Sequence, residues 1–210
     1  MKDYLAFNEA TYDAVADEYG QRISEYSRRD RKLMEPFLSA LSVQGGYQGV
    51  LELGPGSGLC SKILADEGFD TTAVELAGKI IDIAKRTSPS TMFIHDDFLS
   101  HDFGDKTFDG VFAKAFIHLF PKNDALKVMG KIAQLTNPGG VLFLATTVHD
   151  VPSEGYEGKA DYAETPLRFR KKWTVDELHK ALKSDWRIID ENFNEERGKK
   201  WLAITSTRVS

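Results

Sequence analysis

The chain of 210 residues is 41% hydrophobic and 28% charged, which is typical of a globular domain and excludes a disordered or fibrous chain. Its net charge of -5 argues against a nucleic-acid substrate, and the single cysteine, Cys60, excludes an internal disulfide. No apolar run has transmembrane length, and the N-terminus has no signal-peptide core. We therefore expect a cytoplasmic protein of one domain.

Two amphipathic helices are predicted before the first strand. Apolar residues at i, i+3, i+4 and i+7 predict one helix through Tyr12 and Tyr19, and the same spacing predicts another through Leu33 and Leu41. Pro36 either kinks the second helix or marks its first turn. These helices are more than a nucleotide-binding sheet needs, so residues 1–46 are interpreted as a packed cover or a lid.

Strands and helices alternate from residue 48 onward. Such alternation predicts right-handed crossovers and a doubly wound, mainly parallel α/β sheet with helices on both faces. A capping box over residues 174–177 starts a further helix, and two extended runs then close the chain as an antiparallel hairpin. The predicted strands are about 48–53, 71–75, 92–94, 108–113, 141–147, 186–193 and 200–207.

A glycine-rich turn follows the first of these strands. Gly54, Gly56 and Gly58 stand between the apolar run and a helical pattern that opens at Leu59. Glycines let a backbone approach a ligand closely, and the free N–H groups of a helix start attract negative charge. This pattern is typical of a pocket for a dinucleotide or for S-adenosylmethionine.

Further features favour S-adenosylmethionine. A dinucleotide fingerprint has glycine at its sixth position, where this chain has Leu59. Glu75 ends the second strand about 20 residues later and can bind ribose hydroxyls in either class. Asp97 and Phe98 offer a second anchor, for the adenine of a single adenosine. The closing hairpin replaces a second mononucleotide-binding half.

Taken together, these motifs resemble those of class I S-adenosylmethionine-dependent methyltransferases of the small-molecule type, over nearly the whole chain. Residues 52–58 resemble the first motif of that family, 108–111 its fourth-strand motif and 137–142 the turn before strand five. Residues 12–19 resemble its cofactor-covering helix. One departure is that Leu76-Ala77 follows Glu75 in place of a capping serine.

The resemblance implies a Rossmann-like, seven-stranded sheet whose last strand is antiparallel between strands five and six. It implies that S-adenosyl-L-methionine is bound and S-adenosyl-L-homocysteine released. It divides one domain into a cover (1–46), a cofactor-binding core (47–148), an acceptor-side loop or lid (149–173) and a C-terminal helix with hairpin (174–210). The predicted cofactor-binding residues are Tyr12, Tyr19, Glu52, Gly54, Gly56, Gly58, Glu75, Leu76, Asp97, Phe98 and Ala113.

The acceptor must approach from the carboxyl ends of strands four and five, because open α/β sheets bind ligands there. Lys114, Phe116 and Arg168 are therefore the predicted substrate-binding residues. Methyl transfer needs a base only for acceptors that must lose a proton, and His118 and His149 are the candidates. Alternatively, His118 only forms a hydrogen bond to the backbone at a turn, and His149 is a surface residue without a role in catalysis.

Two other clusters have simpler interpretations. His95, Asp96, Asp97, His101 and Asp102 are interpreted as a solvated loop, and we predict no metal site. Residues 168–173 interleave basic and aromatic side chains. A solvated run before the helix cap is the preferred interpretation, ahead of a nucleic-acid surface or of one arginine that pairs with an anionic acceptor.

The sequence thus predicts a small-molecule N- or O-methyltransferase, acting as a monomer or homodimer without nucleic-acid or membrane partners. The alternatives are a nucleic-acid methyltransferase, or a cofactor-binding protein of this fold that lost its activity. Against the first alternative, no Asn/Asp-Pro-Pro-aromatic motif follows strand four, where residues 113–116 stand.

Overall fold

A computed structural model describes residues 2–21, 23–43, 45, 48–158 and 166–209. Within these residues, no helix combines the length and the apolarity needed to cross a bilayer. The helices are α1 (Asp3–Ala14), α2 (Ala16–Gln21), α3 (Ile23–Ser42), α4 (Leu59–Asp66), α5 (Gly78–Thr87), α6 (Lys122–Leu135) and α7 (Val175–Leu182). The strands are β1 (Gly49–Leu53), β2 (Asp70–Glu75), β3 (Met92–His95), β4 (Phe108–Lys114), β5 (Thr136–Thr147), β6 (Ser153–Gly158), β7 (Leu167–Lys172), β8 (Trp186–Glu196) and β9 (Lys199–Arg208).

Seven strands form one sheet in the order β3-β2-β1-β4-β5-β9-β8. The first five pair in parallel, whereas β9 is antiparallel to both of its neighbours. The predicted fold class, a doubly wound and mainly parallel sheet with a C-terminal antiparallel hairpin, is confirmed. The chain returns from β3 at the edge to β4 beside β1. The switch point between β1 and β4 is where sheets of this kind bind ligands.

Alternate residues of the central strands face opposite sides of the sheet, as the pleat requires. Leu51 and Leu142 belong to a core that also contains the apolar faces of α6 and α7. On the other side, Val50, Phe112 and Phe143 pack with α3 and α4. The rings of Phe112 and Phe143 stack with centroids 4.5 Å apart, which ties β4 to β5 next to the switch point.

The predicted single helix through Tyr12 and Tyr19 is wrong, because Val15 separates α1 from α2. The two helices dock on different surfaces. The Asn8 side chain of α1 accepts a 2.8 Å hydrogen bond from the Phe169 N–H of β7, whereas α2 packs through Ala16 on the apolar residues of α5. Tertiary docking therefore breaks a helix that the local spacing favours. Pro36 lies inside α3 rather than at its first turn.

The segment between β5 and α7 contains a two-stranded sheet that the spacing did not predict. Strands β6 and β7 are antiparallel, with Ser153 opposite Lys172 and Gly158 opposite Leu167. Helix α1 and a 3-10 helix over Ile117–Leu119 lie against β7. Because these elements cover it, the prediction of a solvated run at residues 168–173 is wrong, and Arg168, Arg170 and Lys171 are only 5%, 8% and 3% exposed.

The hairpin of β8 and β9 turns through Arg197 and Gly198. Both residues have positive φ, 50° and 68°. This is the pattern of a two-residue type I′ turn, whose twist matches that of the strands it joins. The tight turn brings Arg197 and Lys199 to the same end of the sheet as the carboxyl ends of the parallel strands.

Candidate functional site

Two adjoining cavities open at the carboxyl ends of the parallel strands. The first, here called the glycine-loop cavity, has an empty volume of about 770 Å³. It is formed by the loop after β1, the ends of β2 and β4, the turn after β3 and the inner faces of α1 and α2. Its walls include Tyr12, Tyr19, Gly54, Gly56, Glu75, Leu76, Ile80, Asp96, Asp97, Phe98, Phe116 and Phe120.

The second, here called the arginine cavity, has an empty volume of about 1160 Å³ and a more polar wall. It is lined by residues that include Asp30, Glu52, Cys60, His118, Thr147, Arg168, Arg170, Glu196, Arg197, Lys199 and Trp201. The two cavities share Tyr12, Tyr19, Gly54, Lys114 and Ala115. Groups bound in the two cavities would therefore meet across a common boundary.

The three glycines of the loop serve different purposes, although all have positive φ. A Cβ on Gly54 would lie 3.0 Å from the Phe116 ring, and a Cβ on Gly56 would lie 2.6 Å from the Tyr19 hydroxyl. Both of these glycines line a cavity. A Cβ on Gly58 would instead lie 2.7 Å from the Ala84 carbonyl oxygen. Gly58 therefore permits α4 to approach α5 closely.

Glu75 ends β2 beside the glycine loop. Its Oε1 accepts a 2.9 Å hydrogen bond from the Ala77 N–H. Desolvation in the cleft raises the pKa of Glu75 to about 7, although the N–H groups of Ala77, Leu76 and Gly56 oppose this shift. A carboxyl group with such a pKa in the wall of a cavity is a candidate ligand contact. A hydroxyl donor bound to it would favour the ionised form.

Asp96 and Asp97 follow β3 and also line the glycine-loop cavity. The Asp97 carboxylate accepts hydrogen bonds from the Leu99 N–H and the Ser100 hydroxyl, both at 3.1 Å. Asp96 contacts the His101 ring at 2.9 Å, and this hydrogen bond lowers the pKa of Asp96. These contacts hold the turn and place Phe98 in the cavity wall.

Glu52 lies under the glycine loop and is 3% exposed. The Ser61 hydroxyl donates a short hydrogen bond to its Oε2. Burial raises the pKa of Glu52 to about 7, and the bond from Ser61 and the positive charge of Lys114 oppose the shift. The structure thus places Glu52 in the wall of the arginine cavity.

Lys114 at the end of β4 forms an ion pair with Asp30 of α3, with Nζ and Oδ1 2.6 Å apart. The buried thiol of Cys60 lies 4.0 Å from the other Asp30 oxygen, and burial raises the pKa of that thiol. A neutral thiol is a weak nucleophile, so Cys60 is not suited to covalent chemistry. The next residue, Ala115, has a φ of 57°, which is strained for a non-glycine residue and lies at the boundary of the two cavities.

The two candidate bases differ in position. His118 is 3% exposed, lines the arginine cavity, and contacts the Thr146 hydroxyl through Nδ1 at 3.0 Å. His149 lies 3.4 Å from the Thr147 hydroxyl and is not among the described residues that line either cavity. Burial, together with the charges of Arg170 and Lys172, lowers the pKa of His149.

The structure brings most of the sequence-predicted residues together. Phe116, predicted to bind the acceptor, lies in the glycine-loop cavity, whereas Glu52, predicted to bind the cofactor, lies in the arginine cavity. Gly58 and Ala113 are not among the described residues that line either cavity. The residue roles themselves stay predictions.

Sequence reasoning missed several residues of these walls. Leu5, Asn8 and Glu9 line the glycine-loop cavity through α1, whereas the helical spacing recognised in the sequence begins only at Tyr12. Asp30, Arg170 and Trp201 line the arginine cavity from distant parts of the chain. The only signal in the sequence that could have indicated this wall was the spacing of Arg168 and Arg170, which places both on the same side of a strand. Among the described residues, no three His, Cys, Asp or Glu side chains form a group able to hold a metal ion.

The chain is similar in sequence to known methyltransferases. Residues 50–140 match the family model of a methyltransferase domain. The chain is 31% identical to a demethylmenaquinone methyltransferase of Renibacterium salmoninarum, over 67% of this chain and 58% of that protein. It is also 28% identical to ribosomal RNA small subunit methyltransferase A of Cytophaga hutchinsonii, over 53% of this chain and 43% of that protein. The chain thus spans about half the length of these relatives.

A solved structure shares the fold over almost the whole chain. It is the 1,6-didemethyltoxoflavin-N1-methyltransferase of Burkholderia thailandensis, with bound 1,6-didemethyltoxoflavin and S-adenosylhomocysteine. The TM-score is 0.73, with 99% of this chain and 90% of that chain covered. At 20% sequence identity, this likeness concerns the fold.

Proposed function

We propose that this chain, which belongs to the class I S-adenosylmethionine-dependent methyltransferase family, moves a methyl group from S-adenosylmethionine to nitrogen or oxygen of a small-molecule acceptor. The observation that carries this proposal is the pair of adjoining cavities at the switch point. They share Tyr12, Tyr19, Gly54, Lys114 and Ala115. A donor held on one side and an acceptor on the other would react across this boundary.

The glycine-loop cavity has the features that S-adenosylmethionine requires. Gly54 and Gly56 line this cavity and let the Phe116 and Tyr19 side chains approach the loop closely, and Glu75 presents to the same cavity a carboxylate that could bind ribose hydroxyls. Apolar residues, among them Leu76 and Phe98, line the wall where an adenine ring would pack. When bound, S-adenosylmethionine supplies a sulfonium-activated methyl group. The protein would bind and orient it through these residues.

The reaction balances without a redox partner. A lone pair on the acceptor nitrogen or oxygen forms the new bond to the methyl carbon, the sulfur–carbon bond breaks, and sulfur keeps the electron pair of that bond. S-Adenosylhomocysteine and one proton from the acceptor are the remaining products. Most of the rate enhancement then comes from positioning and the exclusion of water, to which the covering helices α1 and α2 contribute.

His118 is the better placed residue to receive that proton. It lines the arginine cavity, and its contact with the Thr146 hydroxyl through Nδ1 orients the ring. A histidine has an ordinary pKa of about 6.5 and can accept a proton near neutral pH. His149 is the alternative, because its lowered pKa keeps its ring neutral. It would have to move in order to line the cavity.

Two observations favour a small molecule over nucleic acid as the acceptor. The reactive boundary lies inside a cavity, and the chain carries a net charge of -5, which repels a phosphate backbone. The similarity to a demethylmenaquinone methyltransferase supports the same choice. The similarity to a ribosomal RNA methyltransferase keeps nucleic acid as the second candidate. The cytoplasmic location and the monomeric or homodimeric state stay predictions.

Calorimetric titration with S-adenosylmethionine, S-adenosylhomocysteine and NADH tests the cofactor assignment. We expect dissociation constants in the micromolar range for the first two, on the order of -8 kcal/mol, and no NADH binding. Conversion of S-adenosylmethionine is then followed with phenols, amines and a ribosomal RNA transcript. NADH binding without a response to S-adenosylmethionine would disprove the assignment. Turnover on RNA alone would select the second candidate, and binding without any turnover a non-catalytic protein.

A further inference from the structure

We propose that the arginine cavity recognises the acceptor through a carboxylate, which Arg168 and Arg170 of β7 bind. This inference rests on the proposed function and adds the substrate class. The acceptor would span the arginine cavity, with its carboxylate at these two residues and its methyl-receiving atom at the boundary formed by Lys114 and Ala115.

The first support is the position of the two arginines. They are separated by one residue in β7, so their side chains leave the strand on the same side, and both line the arginine cavity. They are only 5% and 8% exposed. Arginine side chains are rarely this buried. Their planar sets of N–H donors match a carboxylate.

The second support is the orientation of both groups by neighbouring hydroxyls. Arg168 Nη1 donates a 3.0 Å hydrogen bond to the Tyr12 hydroxyl, and Arg170 Nη2 donates a 2.6 Å bond to the Thr147 hydroxyl. Arg170 also lies 3.3 Å from Glu157, but Glu157 is 3.6 Å from Lys172 as well. The Glu157 carboxylate thus lies between the positive charges of Arg170 and Lys172. These contacts hold the guanidinium groups in defined positions, as a recognition site requires.

The third support is the charge of the cavity wall. Its described lining contains five basic residues, Lys114, Arg168, Arg170, Arg197 and Lys199, and three acidic ones, Asp30, Glu52 and Glu196. Lys114 and Asp30 form an ion pair, and the raised pKa of Glu52 reduces its negative charge near neutral pH. The described part of the wall therefore has more basic than acidic residues, in a chain whose net charge is -5. A singly charged anion suits such a wall.

The wall of the arginine cavity contains one further hydrogen-bond donor of interest, the indole N–H of Trp201. Trp201 lines the arginine cavity from β9, and its buried indole N–H has no hydrogen-bond partner among the residues that the structure describes. An oxygen atom of the acceptor would satisfy it. Donors on β7 and on β9 therefore favour the same kind of ligand, one rich in hydrogen-bond acceptors.

The test compares matched neutral and anionic probes on the full chain saturated with S-adenosylhomocysteine. The probes are benzoate, 4-hydroxybenzoate and 4-aminobenzoate, each titrated beside its amide, which has the same shape without the charge. We expect at least one carboxylate to bind about tenfold more tightly than its amide. In Arg168→Gln and in Arg170→Gln, the ratio of the amide's dissociation constant to that of the carboxylate should fall to about two or less.

Two further variants separate recognition from folding. Arg170→Lys keeps the charge but loses the planar donor pair, so the ratio should fall several-fold while the fold is retained. Arg187→Gln removes one positive charge from an exposed position of β8 and should leave the ratio unchanged. A purely structural role of β7 would weaken carboxylate and amide binding equally.

The outcomes distinguish this inference from the function on which it rests. Absence of S-adenosylhomocysteine binding would disprove the proposed function, and this inference with it. Tight S-adenosylhomocysteine binding with no preference for any carboxylate over its amide would overturn the inference alone. A preference that survives in both glutamine variants would also overturn it, because the two arginines would then not be its source.

Discussion

The glycine-loop cavity and the arginine cavity share a boundary, yet the chain builds them differently. The first is formed mostly by consecutive strand ends and their turns, between Leu53 and Phe120, with α1 and α2 laid over them. The second adds to the two tyrosines and the glycine loop residues from α3, β5, β7 and the hairpin of β8 and β9, among them Asp30 and Trp201. It therefore depends on more distant parts of the sequence than the first.

The side chains that line the two cavities also differ in chemistry. The glycine-loop cavity presents mainly apolar side chains and a few carboxylates, which suit one nucleoside. The arginine cavity presents several charged residues, all of them on elements other than the glycine loop. Substitutions in one cavity should therefore affect one ligand more than the other. The predictions below test this separation in order of decreasing effect.

The largest effect should come from Gly58, which the structure places outside both cavities. Gly58→Ala puts a Cβ 2.7 Å from the Ala84 carbonyl oxygen at a φ of 78°. We expect the free energy of unfolding to fall by about 3 kcal/mol, measured by denaturant titration, because strain and overpacking add. Gly104→Ala is the control, since its φ is 58° but no described atom lies within 4 Å of the added Cβ. It should lose about 1 kcal/mol, and equal losses would contradict the packing role of Gly58.

The next effect concerns His118 on the acceptor side. With an acceptor that needs a base, His118→Ala should lower kcat about 100-fold, while the affinity for S-adenosylmethionine stays unchanged. The loss should shrink at higher pH, where the acceptor ionises by itself. Thr146→Val removes the hydroxyl that contacts Nδ1 at 3.0 Å and should give a smaller loss in the same direction.

His149→Ala provides the comparison for His118. Because His149 is not among the described residues lining either cavity, its replacement should leave kcat within a few-fold of the parent. A large loss in His149→Ala alone would transfer the role of base to that residue. If both variants keep the parental rate, the site works through positioning.

On the donor side, Glu75→Gln should weaken S-adenosylmethionine binding by about 2 kcal/mol, because charge-assisted hydrogen bonds to the ribose are lost. The pKa of Glu75 in the free protein is raised to about 7. Binding to the ionised form must therefore weaken as the pH falls below 7, by up to about tenfold per pH unit. Calorimetry between pH 5.5 and about 8.5 should show this slope in the parent and lose it in Glu75→Gln.

Asp70→Asn is the matched control for that experiment. Asp70 begins the same strand β2, is exposed, and lies at the opposite end from the cavity. It should preserve both the affinity and its pH dependence. Loss of affinity in Asp70→Asn would indicate a general electrostatic effect rather than a contact made by Glu75.

Glu52 should affect stability more than binding. Its pKa is raised from 4.5 to about 7, so between these values the unfolded chain ionises while the folded chain does not. Stability is therefore lost as the pH rises through that window. Glu52→Gln should stabilise the protein by about 1–2 kcal/mol at pH 8 and have little effect at pH 4.5. Thermal unfolding of Glu52→Gln and of the exposed control Glu195→Gln would measure this difference.

The smallest effect should come from Tyr12, which belongs to both cavities. Tyr12→Phe removes the hydroxyl that accepts a 3.0 Å hydrogen bond from Arg168 but keeps the ring. We expect about a fivefold weakening of carboxylate binding in the arginine cavity and a smaller change for S-adenosylhomocysteine. Equal losses for both ligands would mean that the boundary does not separate the two sites.

Local sequence signals were enough to predict the sheet and much of the glycine-loop cavity. The strand periodicity, the glycine turn and the positions of Glu75 and Asp97 depend on neighbours within a few residues, and the topology then brings the strand ends together. The capping box at Thr174 and Glu177 is likewise local and is confirmed, because each residue bonds the backbone N–H of the other.

The break at Val15, the pairing of β6 with β7 and the burial of Arg168 and Arg170 depend instead on tertiary contacts. In each case, the local pattern favoured another state: a continuous helix, an irregular loop or a solvated run. Docking of α1 on β7 overrode those preferences, because buried contacts and hydrogen bonds to distant residues outweigh propensities of a few tenths of a kcal/mol per residue, on the order seen for helices. The arginine cavity exists only where those distant segments meet.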